Sequence, residues 1–240
     1  MKKWILLMIA LALATVSSAG SAELTILTEN LPPLNYVEKG VLTGSSVEIV
    51  KEIQRRVGSS DPIQVYPWAR AYRMALDEKN VILFGMTHTK DRHDKFKWVG
   101  PLAKKRDILV AKKGSGIKIN TLEDAKKVKR IGTLRDDTRE KLLTSYGFTK
   151  LYSVSDEQKN ARKLVMGRID LWAYKSPGVK KVCELAGVNP NELEEVFHLR
   201  EINLMIAFSN KTSDTIVERW QEAFDEMSKD GTLKIIQEKW

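Results

Sequence analysis

Residues 81–96 read VILFGMTHTKDRHDKF, and they carry the clearest signal of fold and function in the chain. Four large apolar residues lead into Gly85, a pattern that predicts a buried strand ending at a glycine. Two threonines, two histidines and an arginine follow at once. Ligands of open parallel sheets bind beyond the carboxyl ends of the strands. Four interpretations are open at this point: a catalytic cluster, a metal site, an anion-binding loop, and the solvated start of a helix.

Strand and helix patterns alternate on both sides of this stretch. Before it, they predict strands at residues 23–28 and 62–68, and helices at residues 45–57 and 69–76. After it, a second alternating set runs from about residue 111 to about residue 199, a strand resumes, and two helices close the chain. Such alternation predicts an α/β fold with mostly parallel sheets flanked by helices. The short linkers indicate two packed lobes.

Residues 1–22, MKKWILLMIALALATVSSAGSA, precede the first predicted strand. Two lysines, a short apolar run and small residues in that order are typical of a secretory signal peptide. We expect cleavage after Ala22, with Ala19 as the alternative. The apolar run is too short for a membrane span of about 20 residues. The sequence therefore predicts a secreted chain whose mature form begins at residue 23.

The chain is basic, with 40 Lys and Arg residues against 31 Asp and Glu residues. A secreted chain whose charges are interspersed with acids is a poor candidate for nucleic-acid binding. A field that attracts anionic solutes and ordinary solubilising charge both remain open explanations. The single cysteine, Cys183, cannot form an internal disulfide, and its helical apolar position predicts a small buried thiol.

Catalytic and metal chemistry find little support in the motifs. His88 and His93 are five residues apart, His198 is distant, and no cysteine accompanies them, so the sequence predicts no metal site. It also contains neither a GxSxG elbow nor a phosphate-binding glycine loop, and it predicts no catalytic residues and no cofactor. Binding remains: Arg92 suits a two-pronged contact with a carboxylate. The alternatives are helix capping by Thr87 or Thr89 and a surface ion pair for Arg92.

Several segments together resemble a known family. They are LTILTENLPPLNY followed by GVLTGSSVEIVKEI, FGMTHTKDRHDKFKWVGPL, LVAKKGSG, TLEDAKKVKRIGTLRDDT, GRIDLWAY and DGTLKIIQEKW. Each is a weak motif alone, but their order resembles that of the family 3 extracellular solute-binding proteins, the amino-acid receptors of ABC importers. The resemblance covers nearly all of the chain after residue 22.

This resemblance implies the two-lobed fold of type II periplasmic binding proteins. The first lobe would comprise residues 23–108 and 204–240, the second residues 109–203, with crossovers near residues 105–111 and 199–204. A monomeric periplasmic receptor would close by hinge bending over a small carboxylate-bearing solute, an amino acid or a related organic acid. It would deliver this ligand to the permease of an ABC importer. The alternatives are a ligand receptor for a membrane sensor and a dehydratase-like enzyme, for which Glu29, Asp136 and Asp137 are the candidate acids.

The resemblance also implies the ligand contacts. Arg92 would bind the carboxylate and Thr87 would support it. Gly85 would present its carbonyl to the ligand's amine, and Thr138 would lie at the anion-facing start of a helix. Leu31 and either Trp68 or Arg70 would line the first-lobe wall.

Two departures from the family pattern concern the ligand itself. Lys175 stands where the family has an acid for the α-ammonium of the ligand, and Leu31 stands where an aromatic ring often stacks. Asp136 or Asp137 would have to supply the missing carboxylate. Otherwise the ligand lacks an α-amino group or brings a second carboxylate to Lys175.

The second-lobe wall involves the strand pattern DLWAY. We expect Trp172 and Tyr174 to face opposite ways along this strand, one of them in the core and the other lining the cleft.

Overall fold

The computed structural model describes residues 23–240, so the predicted signal peptide at residues 1–22 lies outside the described part of the chain. The helices are α1 (Ser45–Val57), α2 (Trp68–Asp77), α3 (Lys90–His93), α4 (Leu122–Lys127), α5 (Thr138–Ser145), α6 (Glu157–Val165), α7 (Val179–Ala186), α8 (Asp214–Lys229) and α9 (Thr232–Lys239). The strands are β1 (Thr25–Thr28), β2 (Tyr36–Glu38), β3 (Val41–Thr43), β4 (Ile63–Val65), β5 (Val81–Thr87), β6 (Phe96–Lys112), β7 (Ile131–Leu134), β8 (Leu151–Val154), β9 (Leu171–Ser176) and β10 (Leu193–Ser209).

Within these residues, eight strands form one sheet in the order β4-β1-β5-β10-β6-β9-β7-β8, and β2 pairs with β3 in a separate hairpin. Strand β1 runs parallel to β4 and β5, and β7 runs parallel to β8 and β9. The central strand β10 is antiparallel to β5 and β6, and β6 is antiparallel to β9. The parallel groups at the two ends confirm the predicted α/β fold, and the antiparallel strands between them connect the two ends.

The connecting strands are much longer than the sequence pattern indicates. Strands β6 and β10 have 17 residues each and pair over their whole length, from Phe96 opposite Ser209 to Lys112 opposite Leu193. The ladder is irregular near Pro101, which lacks an N–H group to donate, and pairing resumes at Ala103. The crossovers predicted at residues 105–111 and 199–204 lie inside this pair. The lobe boundaries stay predictions.

Helix α1 follows directly from its sequence. Val47, Val50 and Ile53 recur at helical spacing and are buried against the sheet. The helix ends at Gly58, whose φ of 73° is the left-handed conformation that terminates many helices. The predicted bounds of this helix are confirmed.

Apolar packing continues from one half of the sheet to the other. Leu134, which ends β7, packs in a core cluster with Leu27 and Trp68. Leu31, from the loop after β1, packs in another cluster with Tyr174. Side chains from the two halves of the sheet are therefore in contact in two separate clusters. Among the described residues, no helix is both long and apolar enough to cross a membrane.

Three side chains test the packing expectations. Cys183 is fully buried, which confirms the predicted buried thiol. The expectation that Trp172 and Tyr174 face opposite ways is wrong: both are fully buried and their rings stack with centroids 4.5 Å apart. The physical reason is the two-residue period of a strand, which puts positions i and i+2 on one face.

Candidate functional site

Arg92 is fully buried at the carboxyl end of β5, on the short helix α3. Its Nη1 donates a hydrogen bond of 3.2 Å to the Thr87 carbonyl oxygen. Its guanidinium carbon lies 4.8 Å from the ring centroids of both Trp68 and Tyr72. Among the described residues, Nε and Nη2 have no hydrogen-bond partner. Arg92 is fully buried and forms no ion pair within 4.0 Å among the described residues, so the surface ion pair considered for it is wrong. Burial lowers its pKa, and Asp137 opposes that effect.

The strand that carries Arg92 also positions Gly85 and Thr87. Gly85 has a φ of 80°, and a Cβ atom there would lie 2.9 Å from the Asn35 Oδ1 atom. Both the backbone conformation and the close approach of Asn35 therefore require glycine. Thr87 is buried opposite Leu204 of β10. Its carbonyl is the one that holds the Arg92 guanidinium in place.

Trp68 and Arg70, the two candidates for the first-lobe wall, occupy different environments. Trp68 is 3% exposed, and its indole Nε1 donates a 3.0 Å hydrogen bond across the cleft to the Asp136 carbonyl oxygen. Arg70 is exposed on helix α2, with its guanidinium 4.2 Å from the ring centroid of Tyr66. The structure thus brings Trp68 to Arg92 and leaves Arg70 outside this group.

The start of helix α5 forms the opposite side of the cleft. Asp137 caps this helix, accepting a 2.9 Å hydrogen bond from the Arg139 backbone N–H. Thr138 is 3% exposed, and its Oγ1 atom has no hydrogen-bond partner among the described residues. Among charged groups, Asp137 most strongly opposes the effect of burial on the pKa of Arg92, so the start of α5 lies near the arginine.

Lys175 belongs to a buried charge cluster, which we define as Asp137, Arg139, Glu157 and Lys175. The Lys175 Nζ atom lies 3.6 Å from the Asp137 Oδ2 atom. The Arg139 guanidinium contacts Asp137 at 2.5 Å and Glu157 at 2.9 Å. All four residues are at least 95% buried. Asp137, one of the two acids considered as a replacement for the missing carboxylate, therefore lies beside Lys175 and pairs with it.

The cluster is balanced, with two basic and two acidic side chains. Burial alone would raise the pKa of Asp137, but Arg139 and Lys175 hold it well below its usual range. Burial raises the pKa of Glu157, with Arg139 opposing, and Glu157 accepts hydrogen bonds from Trp172 Nε1 and Asn160 Nδ2. Asp137 is thus occupied within the protein, which argues against the role of free carboxylate for the ligand that the sequence suggested for it.

Glu29 is a site residue that sequence reasoning considered only as a possible catalytic acid. It follows β1 directly and is 4% exposed. Burial raises its pKa to about 8, with Lys175 as the strongest opposing influence. Because β1 and β5 are parallel neighbours, Glu29 and Thr87 lie at the same edge of the sheet. The position of Glu29 at this edge could be predicted from the strand pattern. Its burial could not.

A cavity of about 280 Å³ opens beside Glu29, between the loop after β1, the start of α2 and the start of α6. Trp68 lies in its wall, so the cavity adjoins the ring that covers Arg92. Neither Arg92 nor Thr138 is among the residues that line this cavity, and its volume and aromatic wall suit a small solute.

Residues 24–240 match the family model for bacterial extracellular solute-binding proteins, family 3. L-cystine-binding protein TcyA of Bacillus subtilis is 26% identical over 220 residues, covering 90% of this chain and 80% of that protein. Arginine-binding extracellular protein ArtP of Bacillus subtilis is 23% identical over 261 aligned positions, covering 100% and 98%.

Among solved structures, an ancestral arginine-binding protein bound to arginine has a TM-score of 0.81 at 23% identity, covering 92% of this chain and 98% of that one. A histidine kinase sensor domain with similarity to periplasmic binding proteins has a TM-score of 0.82 at 18% identity, covering 91% and 96%. At these identities the likeness concerns the fold, and it confirms the predicted two-lobed α/β architecture.

Proposed function

Because this chain belongs to the bacterial extracellular solute-binding proteins of family 3, we propose that it captures a small carboxylate-bearing solute between its lobes. The family resemblance read from the motifs is confirmed. The observation that carries the proposal on the ligand is the state of Arg92, which is fully buried with two guanidinium nitrogens unpartnered among residues 23–240.

Burying an unpaired guanidinium destabilises the folded state by several kcal/mol. A bound anion that pairs with the guanidinium would offset this cost. Arg92 donates one hydrogen bond to Thr87 and keeps Nε and Nη2, two donors that match the two oxygens of a carboxylate. The unpartnered Thr138 hydroxyl offers a further donor from the start of α5, where backbone N–H groups favour negative charge. A carboxylate group of an amino acid or a related organic acid fits this set of donors.

The ligand would hold the lobes together, because Arg92 and Thr138 come from different lobes. We propose residues 23–108 and 204–240 as the first lobe and residues 109–203 as the second. A solute that contacts both lobes only when they meet shifts the population toward the closed form. Direct contacts such as the Trp68–Asp136 hydrogen bond and the 2.6 Å ion pair between Lys181 and Glu38 support the same arrangement.

We infer further that the protein acts in the periplasm, after removal of residues 1–22, and that it passes its ligand to the permease of an ABC importer. Relatives named as cystine-binding and arginine-binding proteins support a binding role without catalysis. The engagement of Asp137 with Arg139 and Lys175 supports it as well, because this carboxylate is not free to accept a proton from a substrate.

The test is a thermal-shift screen of amino acids, dicarboxylates and keto acids, followed by calorimetric titration of the compounds that bind. Arg92→Ala should weaken binding by about 2–5 kcal/mol, or roughly 30- to 5,000-fold, the usual cost of removing one partner of a buried charge pair. Arg73→Ala is the matched control, since Arg73 is an exposed arginine of helix α2. Unchanged affinity in Arg92→Ala would remove this residue from the site.

A further inference from the structure

A second cavity, of about 440 Å³, lies beside the long strand β6. It shares no lining residue with the cavity beside Glu29. Its wall comes from the loop after β1, the first residue of α1, strand β6, the residue that follows β9, and helix α9 with the residue after it. A volume of this size is typical of sites for small organic molecules, so the cavity can hold a ligand of its own.

The irregularity in β6 shapes one side of this cavity. Three residues of β6, at positions 100–102, lie opposite the single residue Met205 of β10. Extra residues in one strand bend it out of the ladder, and two of these three, Pro101 and Leu102, line the cavity. The side-chain amide of Gln237 donates a 3.1 Å hydrogen bond to the Leu102 carbonyl oxygen, which fixes the bulge against helix α9.

Two lysines of β6, Lys104 and Lys105, make this cavity positive. Within residues 23–240, neither side chain takes part in an ion pair within 4.0 Å or in a hydrogen bond, and no aspartate or glutamate lines the cavity. Lys105 is half-buried, and burial lowers its pKa because its ammonium group loses water without gaining an anion. Ser45 adds the N-terminal end of the 13-residue helix α1, which has no side-chain cap. A bound anion would therefore be stabilised here.

We propose that this cavity is a second binding site, for a small organic acid that joins one carboxylate to an aromatic or branched aliphatic body. The carboxylate pairs with the ammonium groups of Lys104 and Lys105. The apolar body packs against Leu34, Pro177 and the indole ring of Trp240, which line the same cavity. Trp240 is 39% exposed, so part of its ring is free to be covered by a ligand.

The position of the cavity connects it with lobe closure. Pro177 belongs to the proposed second lobe, and the other lining residues belong to the proposed first lobe. Pro177 directly precedes Gly178, which is buried against the Pro32 carbonyl group. A ligand that contacts Pro177 and Leu34 together favours the arrangement in which the lobes meet. This part of the inference rests on the proposed function: an acid here and a solute at the candidate site would each raise the affinity for the other.

The experiment is calorimetric titration of the protein with phenylacetate, indole-3-acetate and isovalerate, and with the uncharged primary amide of each acid. An acid that binds should do so about 10-fold more tightly than its amide. The double variant Lys104→Met with Lys105→Met keeps the apolar stems and should weaken the acid about 10-fold. Lys234→Met is the matched control, because Lys234 is exposed on α9 and does not line the cavity. Arg92→Ala should leave the affinity for the acid unchanged.

Two results overturn the second site: no acid of the panel binds at millimolar concentration, or an acid binds equally well after both lysines are replaced. Binding that is lost in Arg92→Ala and kept in the lysine variant places the acid at the candidate site and also overturns it. Gly178→Ala, which adds a Cβ atom against the Pro32 carbonyl group, should weaken the acid. Equal affinity there contradicts the contribution of Pro177. The proposed function is judged separately, by the loss of solute binding in Arg92→Ala.

Discussion

Gly178 is the position where a single added carbon atom should test lobe closure. It immediately precedes helix α7 in the proposed second lobe and is buried against the Pro32 carbonyl group of the proposed first lobe. Its φ of −65° and ψ of −11° are ordinary for alanine, so Gly178→Ala strains no backbone. The added Cβ would lie closer than 3.0 Å to the Pro32 oxygen, a separation that real Cβ atoms do not show.

The size of the effect follows from this contact. The obstacle is a backbone carbonyl, which cannot rotate away, so the lobes must separate by several tenths of an ångström. That separation also breaks the hydrogen bond from the Tyr174 hydroxyl to the Pro32 oxygen, which is already 3.4 Å long. Overpacking costs about 1–3 kcal/mol and one hydrogen bond about 0.5–1.5 kcal/mol. We therefore expect affinity to fall by about 2–4 kcal/mol, or roughly 30- to 1,000-fold.

The assay combines calorimetric titration with small-angle X-ray scattering of the ligand-free and ligand-bound protein. Gly178→Ala should bind weakly and stay extended at ligand concentrations that compact the unaltered protein, with little change in melting temperature. Lys180→Ala serves as the control, because Lys180 is exposed in the first turn of the same helix. Wild-type affinity together with normal compaction in Gly178→Ala would refute the reasoning, since the closed form would then tolerate the carbon atom.

Two further predictions concern the buried carboxyl groups. Asp137→Asn leaves Arg139 and Lys175 without their shared carboxylate and should lower the free energy of unfolding by about 3–5 kcal/mol in urea. Adding Lys175→Met should recover part of this loss, and strictly additive effects would contradict the pairing. Burial raises the pKa of Glu29 from 4.5 to about 8, so its contribution to stability is full below pH 4.5 and is lost as pH rises toward 8. Glu29→Gln should therefore have a higher melting temperature than the unaltered protein at pH 8 but not at pH 4.5. A difference in melting temperature that stays constant across this pH range would contradict a buried neutral Glu29.

Local patterns were enough to predict the parts of the fold that local physics determines. The helical spacing of Val47, Val50 and Ile53, with Gly58 after them, predicted α1 at its observed bounds. The length of β6 was not predictable in this way, because Gly100 and Pro101 look like a strand break. The strand continues there because β10, about a hundred residues later in the chain, pairs on both sides of the irregularity.

The candidate site likewise has parts that the local sequence predicts and parts that depend on long-range packing. Gly85, Thr87 and Arg92 lie in one short stretch at the end of a predicted strand, so sequence reasoning could group them. The partnership of Lys175 with Asp137 depends on how β9 and α5 pack, and no spacing along the chain reveals it. Glu29 was visible as an acid after β1, but its raised pKa depends on burial, which is a property of the folded protein.

The central position of β10 also determines the order in which the protein can assemble. Strands β5 and β6 are not adjacent in the sheet, since β10 lies between them and pairs with both. A nascent chain that has emerged only as far as residue 192 therefore has two halves of a sheet with a one-strand gap. Residues 193–209 fill that gap and join the two halves of the sheet, and the core of the first half is completed only when α8 follows.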